Sequence, residues 1–99
     1  MTFVSANAGA GSDASAAPAA AEEGIDLARI GSACRSRGIW FAVDAIQGLG
    51  PLALDVRAAH IDILSSGAQK WLCSPWGSGF AYLRRELVEA LEPPAAGWL

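Results

Sequence analysis

Lysine is nearly missing from this sequence: Lys70 is the one lysine among seven basic residues, and charged residues make up 17% of the 99. The net charge is −3 and there is no basic stripe, which leaves nucleic-acid binding without an electrostatic footprint. Cysteine is sparse as well. Cys34 and Cys73 form neither a Cys-x-x-Cys pair nor a disulfide framework, and no metal-ligand spacing is present. That usage points to a reducing compartment. A basic region followed by an apolar core is absent from the N-terminus, which predicts no secretory signal and a cytoplasmic location. The most apolar stretch, Trp40 to Val56, is broken by Asp44, Gln47 and Pro51, so no membrane span is expected.

What is abundant is apolar: 53% of the residues are hydrophobic. A chain this short buries a modest share of its surface. The composition therefore suits a segment covered by further chain or by a partner subunit.

The order of local signals is that of an α/β sheet. Thr2 to Ala6 is a candidate strand. From Ala8 to Gly24 the chain is rich in Ala, Gly and Ser, lacks bulky side chains, and reads as a flexible loop. Asp26 is an expected helix N-cap. Leu27, Ile30, Ala33 and Cys34 recur at helical spacing, Arg35 and Arg37 suit the helix C-terminus, and Gly38 is the expected stop. Ile39 to Val43 predicts a buried strand. Asp55 to His60 predicts a short helix or turn, and Ile61 to Leu64 a second strand. Phe80 to Leu83 predicts a third, and Arg84 to Leu91 a short helix ended by Pro93 and Pro94.

Three polar residues stand where strands end: Asp44, Gln47 and Lys70. In open α/β sheets, ligands bind beyond the carboxyl ends of the strands. A carboxylate at the mouth of a buried strand is costly without a partner, and a protonated ring nitrogen is one such partner. Lys70 follows the small-residue segment Ser65-Ser66-Gly67-Ala68 and precedes Trp71 and Leu72. Apolar surroundings favour the neutral, nucleophilic amine used by lysines that attack carbonyls.

These segments carry a resemblance to a known family. Val43-Asp44-Ala45-Ile46-Gln47-Gly48-Leu49-Gly50 resembles the Asp-x-x-Gln motif of class V aminotransferase-type enzymes. Ile61 to Leu72 resembles their lysine motif, and Ser74-Pro75-Trp76-Gly77-Ser78-Gly79-Phe80 the Gly-rich turn after it. The offset of 26 residues between Asp44 and Lys70 also fits. The resemblance implies a fragment of the large domain of a pyridoxal 5'-phosphate (PLP) enzyme of fold type I, an α/β domain with a mostly parallel sheet flanked by helices. Residues 26–92 would be that partial domain, preceded by a strand and loop over 1–25 and followed by a tail over 93–99. The resemblance further implies that Lys70 carries the cofactor as a Schiff base and shuttles the Cα proton. Asp44 would pair with the pyridinium nitrogen and Gln47 with the phenolic oxygen. Gln69 stands where the family often has a histidine that touches the phosphate. A serine common in cysteine desulfurases three residues before the lysine is Gly67 here, with Ser66 one residue off. The Lys-Trp pair and Gly-rich turn look closer to the isopenicillin-N epimerase-like branch.

The implied activity is PLP-dependent chemistry at the Cα of an amino acid, with an amino-acid or keto-acid substrate and a homodimer as the family's assembly. The family's phosphate loop and substrate-carboxylate arginine have no counterpart in these residues, so a truncated, inactive remnant, at most an interaction module, is the alternative. Other residues read as structural. His60 is expected at a helix end, Cys73 as a small packed residue, and Trp71 and Trp76 as core or subunit-interface anchors. Gly77-Ser78-Gly79 precedes a strand rather than a helix and is a poor nucleotide loop. Ser78 remains a candidate for a neighbouring subunit's phosphate.

Overall fold

The computed structural model describes residues 25–92 in full and the backbone of 3–7. The expected flexible loop over 8–24 and the tail with its prolines at 93 and 94 lie outside the described residues. Strand β1 (Phe3–Asn7) is followed by helix α1 (Leu27–Ser36), strands β2 (Trp40–Asp44), β3 (Ile63–Gly67) and β4 (Gly79–Leu83), and helix α2 (Arg85–Ala90). The strands form one sheet in chain order, with β1, β2 and β3 parallel and β4 antiparallel to β3. The mostly parallel α/β sheet expected from the sequence is present.

The caps of α1 are those anticipated. Asp26 Oδ1 accepts the Arg29 N–H at 2.9 Å, which satisfies one orphan donor of the first turn. Gly38 follows the helix at φ 65°, the left-handed conformation that glycine adopts at least cost. Strand β3, by contrast, runs three residues beyond the expected Leu64 and starts two later than Ile61. Ser65 and Ser66 have poor intrinsic strand signals, but pairing with Asp44 on one side and with Ala81 and Phe80 on the other holds them in the sheet. Residues 56–60 form turns rather than a helix. Asp55 anchors them by accepting the N–H groups of Arg57 at 2.8 Å and Ala58 at 3.0 Å.

The core lies on one face of the sheet. Phe41, Val43 and Leu64 meet Cys34 of α1 and Ala59 and Ile61 of the connection, with Leu27, Ile30 and Tyr82 packed around them. Burying a side chain such as Phe41 or Ile61 contributes about 1.5–3 kcal/mol. On the opposite face Trp40, Ala42, Ile63 and Leu83 are half-buried, and Asp44, Ser65 and Ala81 are exposed. The buried strand expected over Ile39–Val43 is fully buried on one face, at Phe41 and Val43, and half-buried on the other. Burial alternates along β2, because the core cluster covers one face only.

One buried carboxylate ties the amino edge together. Asp62 is 5% exposed, and its Oδ2 accepts the Phe41 N–H at 2.8 Å. Its own N–H donates to Phe41 O at 3.0 Å, and its C=O accepts from Arg84 N–H at 2.8 Å. Arg84 Nη1 stands 2.9 Å from Asp62 Oδ1 while its guanidinium lies over the Trp40 ring, 5.4 Å from the centroid. Asp62 Oδ1 and Arg84 Nε lack an aligned hydrogen bond, so the attraction between the two side chains is chiefly Coulombic. No helix among the described residues is long and apolar enough to cross a membrane.

Two predictions test this frame. Asp62→Ala removes the link between β2, β3 and the end of β4 and is expected to cost about 3 kcal/mol, read as a lower urea midpoint with an unchanged slope. The two N–H donors hold the Asp55 carboxyl below the ordinary carboxylate range. A depressed folded-state pKa contributes stability above the unfolded value that is lost as pH falls through the folded one. Asp55→Ala is therefore expected to lower the melting temperature at neutral pH, with the gap to the parent chain closing in acid.

Candidate functional site

The carboxyl ends of the parallel strands gather the chemistry. Asn7, Asp44 and Ser65 are in register across β1, β2 and β3, so Asp44 and Ser65 occupy one row on the same sheet face. Just past Asp44 its Oδ1 accepts the Ile46 N–H at 3.0 Å, a local turn that fixes the carboxylate at the strand mouth. Gly48 and Leu49 N–H groups then both donate to Ala45 O, and this tight turn carries half-buried Gln47. Beyond β3, Cys73 N–H donates to Lys70 O at 3.1 Å, so Lys70 opens a turn at the same edge.

The two loops interlock. Gly50 has φ 117°, and a Cβ there would stand 2.8 Å from Trp71 Cβ, so the chain after Asp44 lies directly against the residue after Lys70. Ile46 Cδ1 and the Gln69 carboxamide meet over Gly67. Asp44, Gln47, Gln69 and Lys70, all singled out from the sequence, are thus brought to one rim. No hydrogen bond or ion pair among the described residues joins Lys70 to Asp44.

Several expectations need correction. Lys70 is exposed, and so are Trp71 (54%) and Leu72 (38%), so the apolar surroundings read from the flanking residues do not enclose the amine. Apolar neighbours in sequence bury a residue only when other segments close over them. Trp71 and Trp76 (88% exposed) are not core residues. Cys73 is exposed at φ 53° rather than packed. Ser66 cannot stand in for a serine at position 67: it is buried on the core face and its hydroxyl donates to Gly67 O at 3.1 Å. The Ser78 hydroxyl is likewise engaged, donating to Pro75 O within its own loop.

Sequence reasoning missed Ser65. It is exposed beside Asp44, and the signal was the period of two along β3, which sets Ser65 and Ser66 on opposite faces. It also missed a cavity of about 300 Å³ at the opposite edge, lined by Arg35, Trp40, His60, Asp62 and Arg84. A second cavity of about 480 Å³ lies beside α1, between Leu27 and Leu54. Neither is lined by Lys70, Asp44, Gln47 or Gln69. The rim is read as the site on its chemistry and on its position at the strand ends, not on concavity.

The carboxyl edge of this α/β sheet thus presents an acid, two amides and an amine. Comparison with known proteins makes the class specific. The aminotransferase class-V family model matches residues 23–97, and the chain belongs to that family, whose members depend on PLP. It is 36% identical over 73 residues to an uncharacterized aminotransferase, YcbU, of Bacillus subtilis, covering 74% of this chain and 20% of that protein. It is 46% identical over 61 residues to the cysteine desulfurase IscS of Photorhabdus laumondii, covering 62% of this chain and 15% of the relative. The fold superposes on ureidoglycine–glyoxylate aminotransferase from Bacillus subtilis with a TM-score of 0.68 at 27% identity, over 89% of this chain and 21% of that one. It also superposes on the apo cysteine desulfurase of Thermococcus onnurineus with a TM-score of 0.67 at 32% identity, over 73% and 18%. The chain spans about a fifth of the length of the relatives it matches.

The interlocking of the two loops is open to test. Gly50→Ala puts a side chain at a left-handed φ and against Trp71, and is expected to cost about 1–3 kcal/mol. Chemical denaturation followed by tryptophan fluorescence measures it.

Proposed function

We propose that this chain supplies the cofactor-anchoring segment of a PLP-dependent enzyme acting at the Cα of an amino acid. One observation carries the reading: a solitary lysine and an exposed aspartate, 26 positions apart in the chain, lie just beyond and at the carboxyl ends of neighbouring parallel strands, β3 and β2. The donor set at that edge fits the cofactor. Asp44 has no ion-pair partner among the described residues and offers a carboxylate for the proton of a ring nitrogen. Gln47 and Gln69 carry amide donors for oxygens of the ring substituents and the phosphate. Lys70 Nζ offers a primary amine for covalent attachment of an aldehyde, and it would take and return the Cα proton. The cofactor, when bound, supplies a sink for the electron pair left at Cα as a bond there breaks.

The rim is open, so walls that exclude water would have to come from outside these residues. The exposed side chains of Trp71 and Leu72 follow the lysine and those of Trp76 and Phe80 lie further along the chain, and a second copy of the chain in a homodimer would cover them. Aminotransferase, desulfurase, epimerase and lyase outcomes share these parts, and groups around the substrate choose among them. The similarity to both aminotransferases and cysteine desulfurases supports this shared core rather than one outcome. A second reading is favoured by the open rim and the exposed Lys70: an inactive remnant that keeps the anchoring motif without a working site.

Reductive trapping decides between them. The protein is mixed with PLP, reduced with borohydride and digested for mass spectrometry. The expected result is one adduct on Lys70, accompanied by a visible absorbance band before reduction, both lost in Lys70→Ala. Asp44→Ala is expected to weaken uptake about tenfold through the lost charge-assisted contact. Absence of an adduct on the wild-type chain would leave the remnant reading standing.

A further inference from the structure

We infer that the cavity at the amino edge of the sheet is a binding site for a small oxyanion, a carboxylate or a phosphate, held by Arg35, His60 and Arg84. The inference does not rest on the cofactor reading. The cavity lies at the end of the strands away from Asp44, and Lys70 and the other rim residues do not line it.

The fold gathers donors here from four separate segments. Arg35 comes from the last turn of α1, Trp40 opens β2, His60 and Asp62 stand before β3, and Arg84 follows β4. They line a space of about 300 Å³, at the small end of the range of ligand sites. In a chain of net charge −3 with seven basic residues, two arginines and the single histidine meet at this one space. Its one carboxylate, Asp62, is already engaged by the Phe41 N–H and by Arg84 Nη1. The cavity therefore has donors in excess. A carboxylate or a phosphate presents acceptors to them and matches the guanidinium fork.

The ordinary structural roles of these donors are filled by other groups or left undone. A cation in the last turn of a helix commonly serves the terminal carbonyls. In α1 those carbonyls have other donors. Ala33 O accepts the Ser36 hydroxyl and Arg37 Nη1, Cys34 O accepts the N–H groups of Arg37 and Ile39, and Arg35 O accepts that of Gly38. Arg35 itself makes no ion pair and no side-chain hydrogen bond among the described residues. Arg84 is held by charge more than by fixed bonds: its buried Nε and the buried Asp62 Oδ1 both lack an aligned hydrogen bond. A guanidinium held in this way keeps donors to turn toward an added anion. His60 is half-buried at φ 52°, a conformation that costs a residue with a Cβ more than it costs glycine. Its ring makes no hydrogen bond among the described residues, and it carries an N–H in either protonation state. A ligand held by that ring accounts for a histidine at a strained position.

The test titrates the full chain with inorganic phosphate, acetate and chloride at constant ionic strength, followed by nuclear magnetic resonance. The side-chain signals of Arg35, His60 and Arg84 and the indole N–H of Trp40 are expected to shift saturably with phosphate or acetate and not with chloride. The tighter of the two anions tells a phosphate site from a carboxylate site. Arg35→Ala and His60→Gly are each expected to weaken that anion about tenfold, through the loss of one charge-assisted or ring N–H contact. Arg35 is exposed and glycine suits the backbone at position 60, so both variants are expected to stay folded, which the backbone amide spectrum checks. Lys70→Ala is expected to leave the titration unchanged. Shifts that grow linearly and alike with all three salts overturn the inference. So does full affinity in either cavity variant, or saturation that disappears in Lys70→Ala, which would put the anion at the rim instead.

Discussion

A single buried carboxylate holds the sheet in register. Asp62 contacts the backbone of β2 through Phe41, stands immediately before β3, and receives Arg84, the residue after β4. A carboxylate at 5% exposure is tolerable only with charge and hydrogen bonds to compensate its desolvation, and here a main-chain N–H and a guanidinium supply them. The consequence is felt at the far end of the strands. With a side-chain period of two, a slip of one residue between β2 and β3 would turn Asp44 or Ser65 to the core face and bring Val43 or Leu64 out of it. The amino edge thus decides what the carboxyl edge presents.

At that carboxyl edge the parts are arranged by small residues rather than by polar contacts. Gly50 lets the loop after β2 lie against Trp71, and Gly67 lets Ile46 and Gln69 share one space. Two loops distant in sequence become one surface in this way, and an amine, a carboxylate and two amides come to lie on it. Among the described residues Asp44 accepts the Ile46 N–H and makes no ion pair.

The apolar character of the chain acquires a physical explanation from the same geometry. The core sits on one face of the sheet, while Trp71, Trp76, Phe80 and Leu52 are about half exposed or more. The relatives this chain matches are about five times longer, and chain of that extra length would have such surfaces to cover. The exposure of Lys70 follows from the same cause, since the residues that enclose an amine at a sheet edge come from segments remote in sequence.

Much of this was legible from residue order alone. The cap at Asp26, the stop at Gly38 and the strands near Trp40 and Phe80 follow from local signals, because capping and turn geometry depend on neighbours within a few positions. Others needed the tertiary structure. The extension of β3 through Ser65, Ser66 and Gly67 comes from cross-strand pairing. The opposite facing of Ser65 and Ser66 comes from register, the role of Asp62 from contacts with residues 21 and 22 positions away, and the seat of Gln69 from a loop that approaches from β2. Local propensity determined which groups the chain carries to the sheet edge. Which of them touch was decided by long-range packing, for which a linear sequence holds no local signal.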